Sequence, residues 1–279
     1  MNKMKCIQDE QLKLEEIQQA SFVVLKKVVD ICEQQKIKYY LAYGTLLGAV
    51  RHKGFVPWDD DVDIIMPRVD FERFIYFMKT NYSGTLVVCD RQTTQNYPYG
   101  IPRVCDMRYK YVSTSQVEPK FDQGVFVDVY PMDNCCDNKV QAYKLFESVQ
   151  KRNLMYLIYV GCGSIDPIKR FLKKIIRVVL RIIKGTEWSQ KIDKEIYAYI
   201  RSKTSDANSS LAVTAWANNH VVYDKSWFEN DCFLEFNGEM FRCPANYTEV
   251  LRESYGDFME LPPEDKRKPH HDYVIYKRK

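Results

Sequence analysis

The sequence predicts an α+β chain: a mixed-sheet core with flanking helices and a helical insertion. Three observations lead there. A long stretch of helical periodicity opens the chain. Short strand patterns separated by turn residues crowd the part before residue 135. Residues 138–184 are then helical with no strand signal between them.

In residues 9–35, Leu14, Ile17, Phe22, Leu25, Val28, Val29 and Cys32 recur at helical spacing, flanked by Leu12 and Ile31. This reads as a packing helix. Residues 38–42 read as a strand leading into Gly44. A glycine turn, a short helix and a tight loop then lead to a strand crowded with aspartates, whose apolar body is Ile64, Ile65 and Met66. Pro67 ends that strand, and residues 68–80 place Phe71, Phe74, Ile75 and Met78 on one helical face. Residues 85–89, 100–106, 109–113 and 124–130 read as short strands. A helix over 138–160 stops at Gly161-Cys162-Gly163, and Gly185 and residues 202–210 mark loops. Residues 233–244 form a hairpin around Asn237-Gly238, and 246–255 a helix closed by Gly256. The tail from Pro262 is basic and holds a His270-His271 pair. Three regions result: a core with its N-terminal helix (1–135), a helical region (136–210), and a hairpin, helix and basic tail packing on the core (211–279).

Within the helical region, residues 166–184 have two faces. Apolar side chains at 168, 171, 172, 175, 176, 179, 182 and 183 make one stripe, and Lys169, Arg170, Lys173, Lys174, Arg177, Arg181 and Lys184 make the other. A helix of this length is about 28 Å long, and its charge forbids spanning a bilayer. Two arrangements fit: a helix lying on an anionic membrane, or a core-packed helix with a basic outer face.

The 279 residues suit one large domain, or a core with a small subdomain, and 46% hydrophobic residues suffice for a real core. A net charge of +4 is too small to argue for nucleic acid. Twenty tyrosines fit a protein handling sugars or bases, though tyrosine also fills cores. The nine cysteines form no CxxC pair, and with no signal-like apolar segment in residues 1–10 they read as reduced thiols in a cytoplasmic protein. The vicinal Cys135-Cys136 would need distant partners to hold zinc. No uncharged apolar run is long enough to span a membrane.

The chemistry concentrates between Tyr43 and Met66. Asp59, Asp61 and Asp63 alternate, so an extended chain would put them on one face at steps of about 6.6 Å. Carboxylates so placed repel, and a cation or a proton must relieve them. Hard oxygen ligands without an adjacent cysteine favour Mg²⁺ or Mn²⁺ over Zn²⁺. Gly44-Thr45 at a helix start offers free N–H groups and the positive end of the helix dipole, a site for phosphate. Taken together these residues describe a cation on Asp61 and Asp63 and phosphates on Gly44 and Thr45, with Arg51 or Lys53 neutralising charge on the leaving phosphate. The bland reading is a solvated acidic loop. Asp128, between Val127 and Val129, needs a partner: a salt bridge, an edge position or a metal would each serve. Arg103 reads equally as a phosphate contact from the neighbouring strand or as an exposed strand arginine.

The stretch from Tyr43 to Ile65 resembles the signature of the LicD family, which includes bacterial phosphocholine transferases and is related to fukutin and the fukutin-related protein. Two later stretches agree: residues 126–133 (Phe-Val-Asp-Val-Tyr-Pro-Met-Asp), and residues 255–263 (Tyr-Gly-Asp-Phe-Met-Glu-Leu-Pro-Pro) with Lys266, Arg267 and His270 following. The resemblance implies a nucleotidyltransferase-like fold of the polymerase-beta type. It implies transfer of phosphocholine or a similar phospho-alcohol from a CDP-linked donor to a sugar hydroxyl of a cell-surface glycan or lipid-linked sugar, with CMP released. It makes Asp128 the third carboxylate of the site, acting as general base, with Asp59, Asp60 and His270 around it. Such glycans are commonly built at the cytoplasmic membrane face, which would suit a peripheral enzyme. The rivals are nucleotidyl transfer with pyrophosphate released, and a non-catalytic scaffold of a glycan-assembly complex.

Overall fold

The computed structural model describes residues 10–215, 220–269 and 272–278. In chain order the first half runs β1 (Glu10–Gln11), α1 (Leu14–Gln34), β2 (Tyr40–Leu41), α2 (Tyr43–His52), β3 (Asp63–Pro67), α3 (Arg68–Thr80), β4 (Leu86–Cys89), β5 (Arg103–Asp106), β6 (Tyr109–Ser113) and β7 (Val125–Cys135). Helices α4 (Lys139–Val160), α5 (Pro167–Lys184) and α6 (Trp188–Arg201) follow. The chain then runs through β8 (Ser210–Ala212), β9 (Tyr223–Asp224), the hairpin of β10 (Asp231–Phe236) and β11 (Glu239–Pro244), α7 (Tyr247–Tyr255) and β12 (Tyr273–Lys277).

β7 is the axis of the main sheet, and all of its residues but Asn134 are buried. It pairs in parallel with β3, antiparallel with β5, and beyond Met132 antiparallel with β8. The sheet order is β2-β3-β7-β5-β4, with β8 and β9 continuing from the far end of β7. The chain is therefore α+β with a mixed sheet. β7 runs five residues past its predicted end at 130, because residues 133–135 find a partner in β8. The core takes Val24, Leu25 and Val28 from α1 and Phe74 from α3, all fully buried.

Two strands at opposite ends of the chain explain a displaced helix start. The tail, predicted only as basic, supplies β12, which pairs with β6 on one side and β1 on the other. Residues 10 and 11 are thus strand, and α1 begins at Leu14 rather than near 9, with the Glu16 carboxylate accepting the Lys13 N–H at 2.7 Å. The hairpin forms at its Asn-Gly turn, with φ of 50° at Asn237 and 80° at Gly238.

The helical region has a core of its own. Phe146 and Tyr156 of α4 pack with Trp188, Ile192, Ile196 and Ile200 of α6. α6 escaped prediction although its buried residues recur every fourth position. α5 overturns one of its two predicted arrangements. None of its residues is buried, and its cationic side faces the protein. Lys173 Nζ donates to the Gly163 carbonyl at 2.6 Å, and Arg177 Nε to the Tyr159 carbonyl at 3.1 Å, so the free carbonyls ending α4 recruit the cations. It is not a core-packed helix with a basic outer face. No helix among the described residues is long and apolar enough to cross a membrane.

α3 is tied to the sheet by a buried ion pair. Arg68 donates from Nε and Nη2 to the two carboxylate oxygens of Asp133 at 2.6 and 2.7 Å, and Thr214 Oγ1 donates to Oδ2 at 2.7 Å. Removing one partner strands a buried charge. Arg68→Ala is expected to cost about 3–5 kcal/mol, read as a lower urea midpoint at unchanged slope. The double change Arg68→Met, Asp133→Leu should recover much of that loss. A single variant as stable as wild type would show the pair to be idle.

Candidate active site

Strand register builds the floor of the site. The parallel pairing sets Asp63 of β3 beside Asp128 of β7, and the antiparallel pairing sets Arg103 of β5 beside the same Asp128. Residues at matched positions of neighbouring strands share a face. Arg103 Nε donates to Asp128 Oδ1 at 2.7 Å, and Nη2 reaches Oδ2 at 3.5 Å. The guanidinium lies 4.0 Å from the Tyr99 ring centroid and 3.9 Å from that of Phe126. Arg103 is thus not an exposed strand arginine: it is buried and paired with Asp128, with Nη1 left without a hydrogen-bond partner.

The aspartates do not alternate along one strand as the sequence suggested. Only Asp63 lies in β3, and residues 59–62 precede it in an irregular segment that follows the turn at Pro57 and Trp58. Backbone anchors shape that segment. Asp59 N–H donates to the Val56 carbonyl, Gln18 Nε2 to the Asp59 carbonyl at 2.8 Å, and Tyr273 OH to the Asp60 carbonyl at 2.6 Å. The segment folds the carboxylates together instead of spacing them out. One oxygen each of Asp61, Asp63 and Asp128 lie within 4.8 Å of one another, and Asp59, Asp60 and Asp61 form a second such group. Asp61, Asp63 and Asp128 are 7%, 5% and 2% exposed.

This arrangement fits a divalent cation. Asp63 Oδ1 is buried without a hydrogen-bond donor. Burial pushes the Asp63 carboxyl well above the usual range, the charges of Asp61, Asp128 and Asp59 push it further, and Arg103 opposes them. A hard cation would supply what the orphaned oxygen lacks.

α2 supplies the edge of the site. Its cap residue, Ala42, has no side-chain acceptor for the first N–H groups of the helix. A Cβ on Gly44 would lie 2.2 Å from Asp59 Oδ2, so only glycine lets Asp59 approach there. Thr45 is buried, and its Oγ1 accepts the Asp63 N–H at 2.8 Å, fixing the root of that carboxylate. Arg51 lines the cleft and donates to the Phe258 carbonyl at 3.0 Å. Lys53 does not reach the cleft: it caps α2 in a left-handed conformation and turns its exposed side chain toward Glu235, at 3.7 Å. His270 lies outside the described residues.

Above the carboxylates opens a cleft of ≈ 580 Å³. Tyr43, Trp58, Asp59, Asp61 and Asp63 line one wall, and Tyr255, Asp257, Phe258 and Glu260 the other. Sequence reasoning passed over Tyr43 and Trp58, though both lie inside the densest motif. Tyr43 stands edge-on to Tyr130, two residues beyond Asp128 on the same face of β7, with ring centroids 4.9 Å apart. A larger hollow of ≈ 900 Å³, beside Val88 and Phe121, has only Asp122 as an acidic lining residue.

Residues 36–153 match the family model described as LicD/FKTN/FKRP, nucleotidyltransferase domain. The chain is also similar to the lipopolysaccharide cholinephosphotransferase LicD of Haemophilus influenzae, 26% identical over 95% of this chain and 98% of that protein. Residues 36–153 thus carry the LicD-family domain. The chain is further similar to uncharacterised proteins of Rickettsia prowazekii, 25% identical over 48% of this chain and 53% of that one, and of Rickettsia typhi, 46% identical over 15% and 14%. The segment matching the LicD model contains Asp61, Asp63, Arg103 and Asp128, whereas the wall from Tyr255 to Glu260 lies beyond it.

The electrostatics of Asp63 make a stability prediction. Its carboxyl binds a proton more tightly in the folded state than in the unfolded chain. The stability it contributes is complete below the ordinary carboxylate range and lost as pH rises through the raised value. In chelator, the wild-type melting temperature should therefore fall relative to that of Asp63→Asn as pH rises above the ordinary carboxylate range, leaving the variant the more stable at neutral pH. Mg²⁺ should raise wild type more than variant. Parallel melting curves over that rise in pH would show that the three carboxylates do not burden the fold.

Proposed function

We propose that this LicD-family phosphotransferase moves a phospho-alcohol, phosphocholine first among them, from a CDP-linked donor to a sugar hydroxyl of a cell-surface glycan, releasing CMP. The observation that carries the proposal is the convergence of Asp61, Asp63 and Asp128, the first two of which line a cleft edged by the start of α2. In this reading the core works as a nucleotidyltransferase-like fold, and Asp61 and Asp63 would hold Mg²⁺ or Mn²⁺. The cation would screen the donor's phosphates and stabilise charge developing on them.

The chain's own groups then divide the work. The N–H groups at the start of α2, where the cap residue Ala42 has no side-chain acceptor, meet phosphate oxygens where the helix dipole favours them. Gly44 leaves room for the Asp59 carboxylate beside that helix start, and Thr45 steadies Asp63 through its backbone. Arg51, on the cleft wall, neutralises charge on the departing nucleotide. The acceptor hydroxyl attacks the distal phosphorus in line and loses its proton to Asp128, whose carboxylate plane is set by Arg103. Because one oxygen of Asp128 lies within 4.8 Å of those of Asp61 and Asp63, the same geometry supports a second arrangement in which it is a third cation ligand. Choline is favoured over a neutral polyol by the cleft walls: Trp58, Tyr255 and Phe258 offer aromatic faces, and Asp257 and Glu260 offer negative charge, the surroundings that suit a quaternary ammonium. The name of the Haemophilus relative supports the same group and makes lipopolysaccharide the first acceptor to try.

The test is CMP release from CDP-choline, CDP-ribitol and CDP-glycerol with lipopolysaccharide as acceptor, with and without Mg²⁺. CDP-choline should be used, chelator should abolish the reaction, and Asp61→Asn or Asp63→Asn should lower turnover by about a hundredfold or more while the fold persists. Near-wild-type turnover in both variants would sink the cation assignment. Pyrophosphate instead of CMP would mark a nucleotidyl transfer, and inertness toward every donor despite Mg²⁺ binding would favour a scaffold.

Asp128→Asn separates the two arrangements. As base, its loss should abolish transfer and leave CDP-choline affinity, measured by calorimetry, within about twofold. As ligand, it should take donor binding down together with turnover.

A further inference from the structure

Along α5 the solvent-facing side is the apolar one. Ile168 is 73% exposed and Ile182 77%, and Phe171, Leu172, Ile175 and Val179 are exposed between them. Globular proteins seldom leave so continuous a stripe in water, and such stripes mark docking surfaces. At 100° per residue the exposed apolar side chains cover an arc of about 160°, wider than the two-position seam through which a helix enters a coiled coil.

Charge selects the occupant. The helix carries seven Lys and Arg and no Asp or Glu. The middle of its cationic side is engaged with α4, where Lys173 and Arg177 donate to backbone carbonyls. Lys169 and Lys174 instead stand exposed at the two margins of the apolar arc, and neither makes an ion pair among the described residues. An apolar arc with a cation on each margin is the cross-section of a helix lying in a membrane interface, its side chains among the acyl chains and its margins on phosphate head groups.

We propose that α5 is a membrane-docking element that seats the protein reversibly on bilayers containing anionic lipid, its apolar face inserted and Lys169 and Lys174 on the head groups. α4 holds the helix by the opposite side, so docking needs no rearrangement of the fold.

The experiment is flotation of the full chain with phosphatidylcholine vesicles, with and without phosphatidylglycerol. Binding to the anionic vesicles alone is expected, weakening as salt rises. Each cation near an anionic surface strengthens binding about fivefold, so Lys169→Gln with Lys174→Gln should weaken it roughly thirtyfold. Ile175→Ser with Val179→Ser should abolish it. Both pairs are exposed, so circular dichroism and melting should match wild type. Single Ile175→Trp supplies a direct reading, a blue-shifted emission on anionic vesicles only. Failure of wild type to float with anionic vesicles at low salt overturns the proposal, as does undiminished binding by the serine pair. A wild-type dimer that the serine pair splits, without vesicle binding, would make the face an interface between copies and overturn it equally.

Discussion

The alignment of β3, β7 and β5 is the constraint on which the rest of the site depends. It brings Asp63 and Arg103 to either side of Asp128 inside the sheet, where neither carboxylate can reach bulk water. Gathering buried like charges is costly unless each is paired, and Asp63 Oδ1 has no hydrogen-bond donor. Much of the surrounding structure serves to hold this arrangement. Thr45 pins the Asp63 backbone, Gln18 reaches across from α1 to the aspartate segment, and Tyr273 closes on the Asp60 carbonyl from a strand more than two hundred residues later in the chain. These contacts come from three separate elements, and none would be needed around a solvated acidic loop.

How much of this the sequence disclosed depended on whether the cause was local. The helices at 68–80, 138–160 and 246–255 and the Asn-Gly hairpin were legible because periodicity, caps and turn residues lie within the segment itself. The crowding of aspartates was legible for the same reason. Their geometry was not, because the segment at 59–62 is shaped by Gln18 and Tyr273 rather than by its own residues. Arg103 was ambiguous because its partner is set by strand register, which no single strand encodes. Lys53 misled for a related reason: proximity in sequence suggested proximity to the site, but the end of α2 turns it toward the hairpin. The second wall of the cleft comes from residues beyond 250, and nothing in the aspartate motif points to it.

α5 shows the limit of pattern reading from another side. Periodicity divided the helix correctly into an apolar and a cationic face. It could not say which face the rest of the protein would claim, and the usual expectation that apolar faces turn inward gave the opposite answer. The deciding features lie outside the helix: carbonyls left unpaired where α4 ends at Gly161, within reach of Lys173 and Arg177. Arginine and lysine are good partners for helix C-terminal carbonyls, and once they are engaged the apolar side has nowhere to face but solvent.

The Arg103–Asp128 pair also alters the charge that the site offers to a ligand. Without Arg103, three ionised carboxylates would present three negative charges to the cleft. With it, one of the three is offset, while Asp59, Asp257 and Glu260 add carboxylates of their own to the cleft lining. Arg103 can play this part because it is buried between Tyr99 and Phe126, where water cannot screen it and a mobile lysine would be a poorer fit to the carboxylate plane. The arginine that looked from the sequence like a contact for substrate phosphate therefore acts one step further back. It offsets part of the negative charge that the carboxylate cluster gathers.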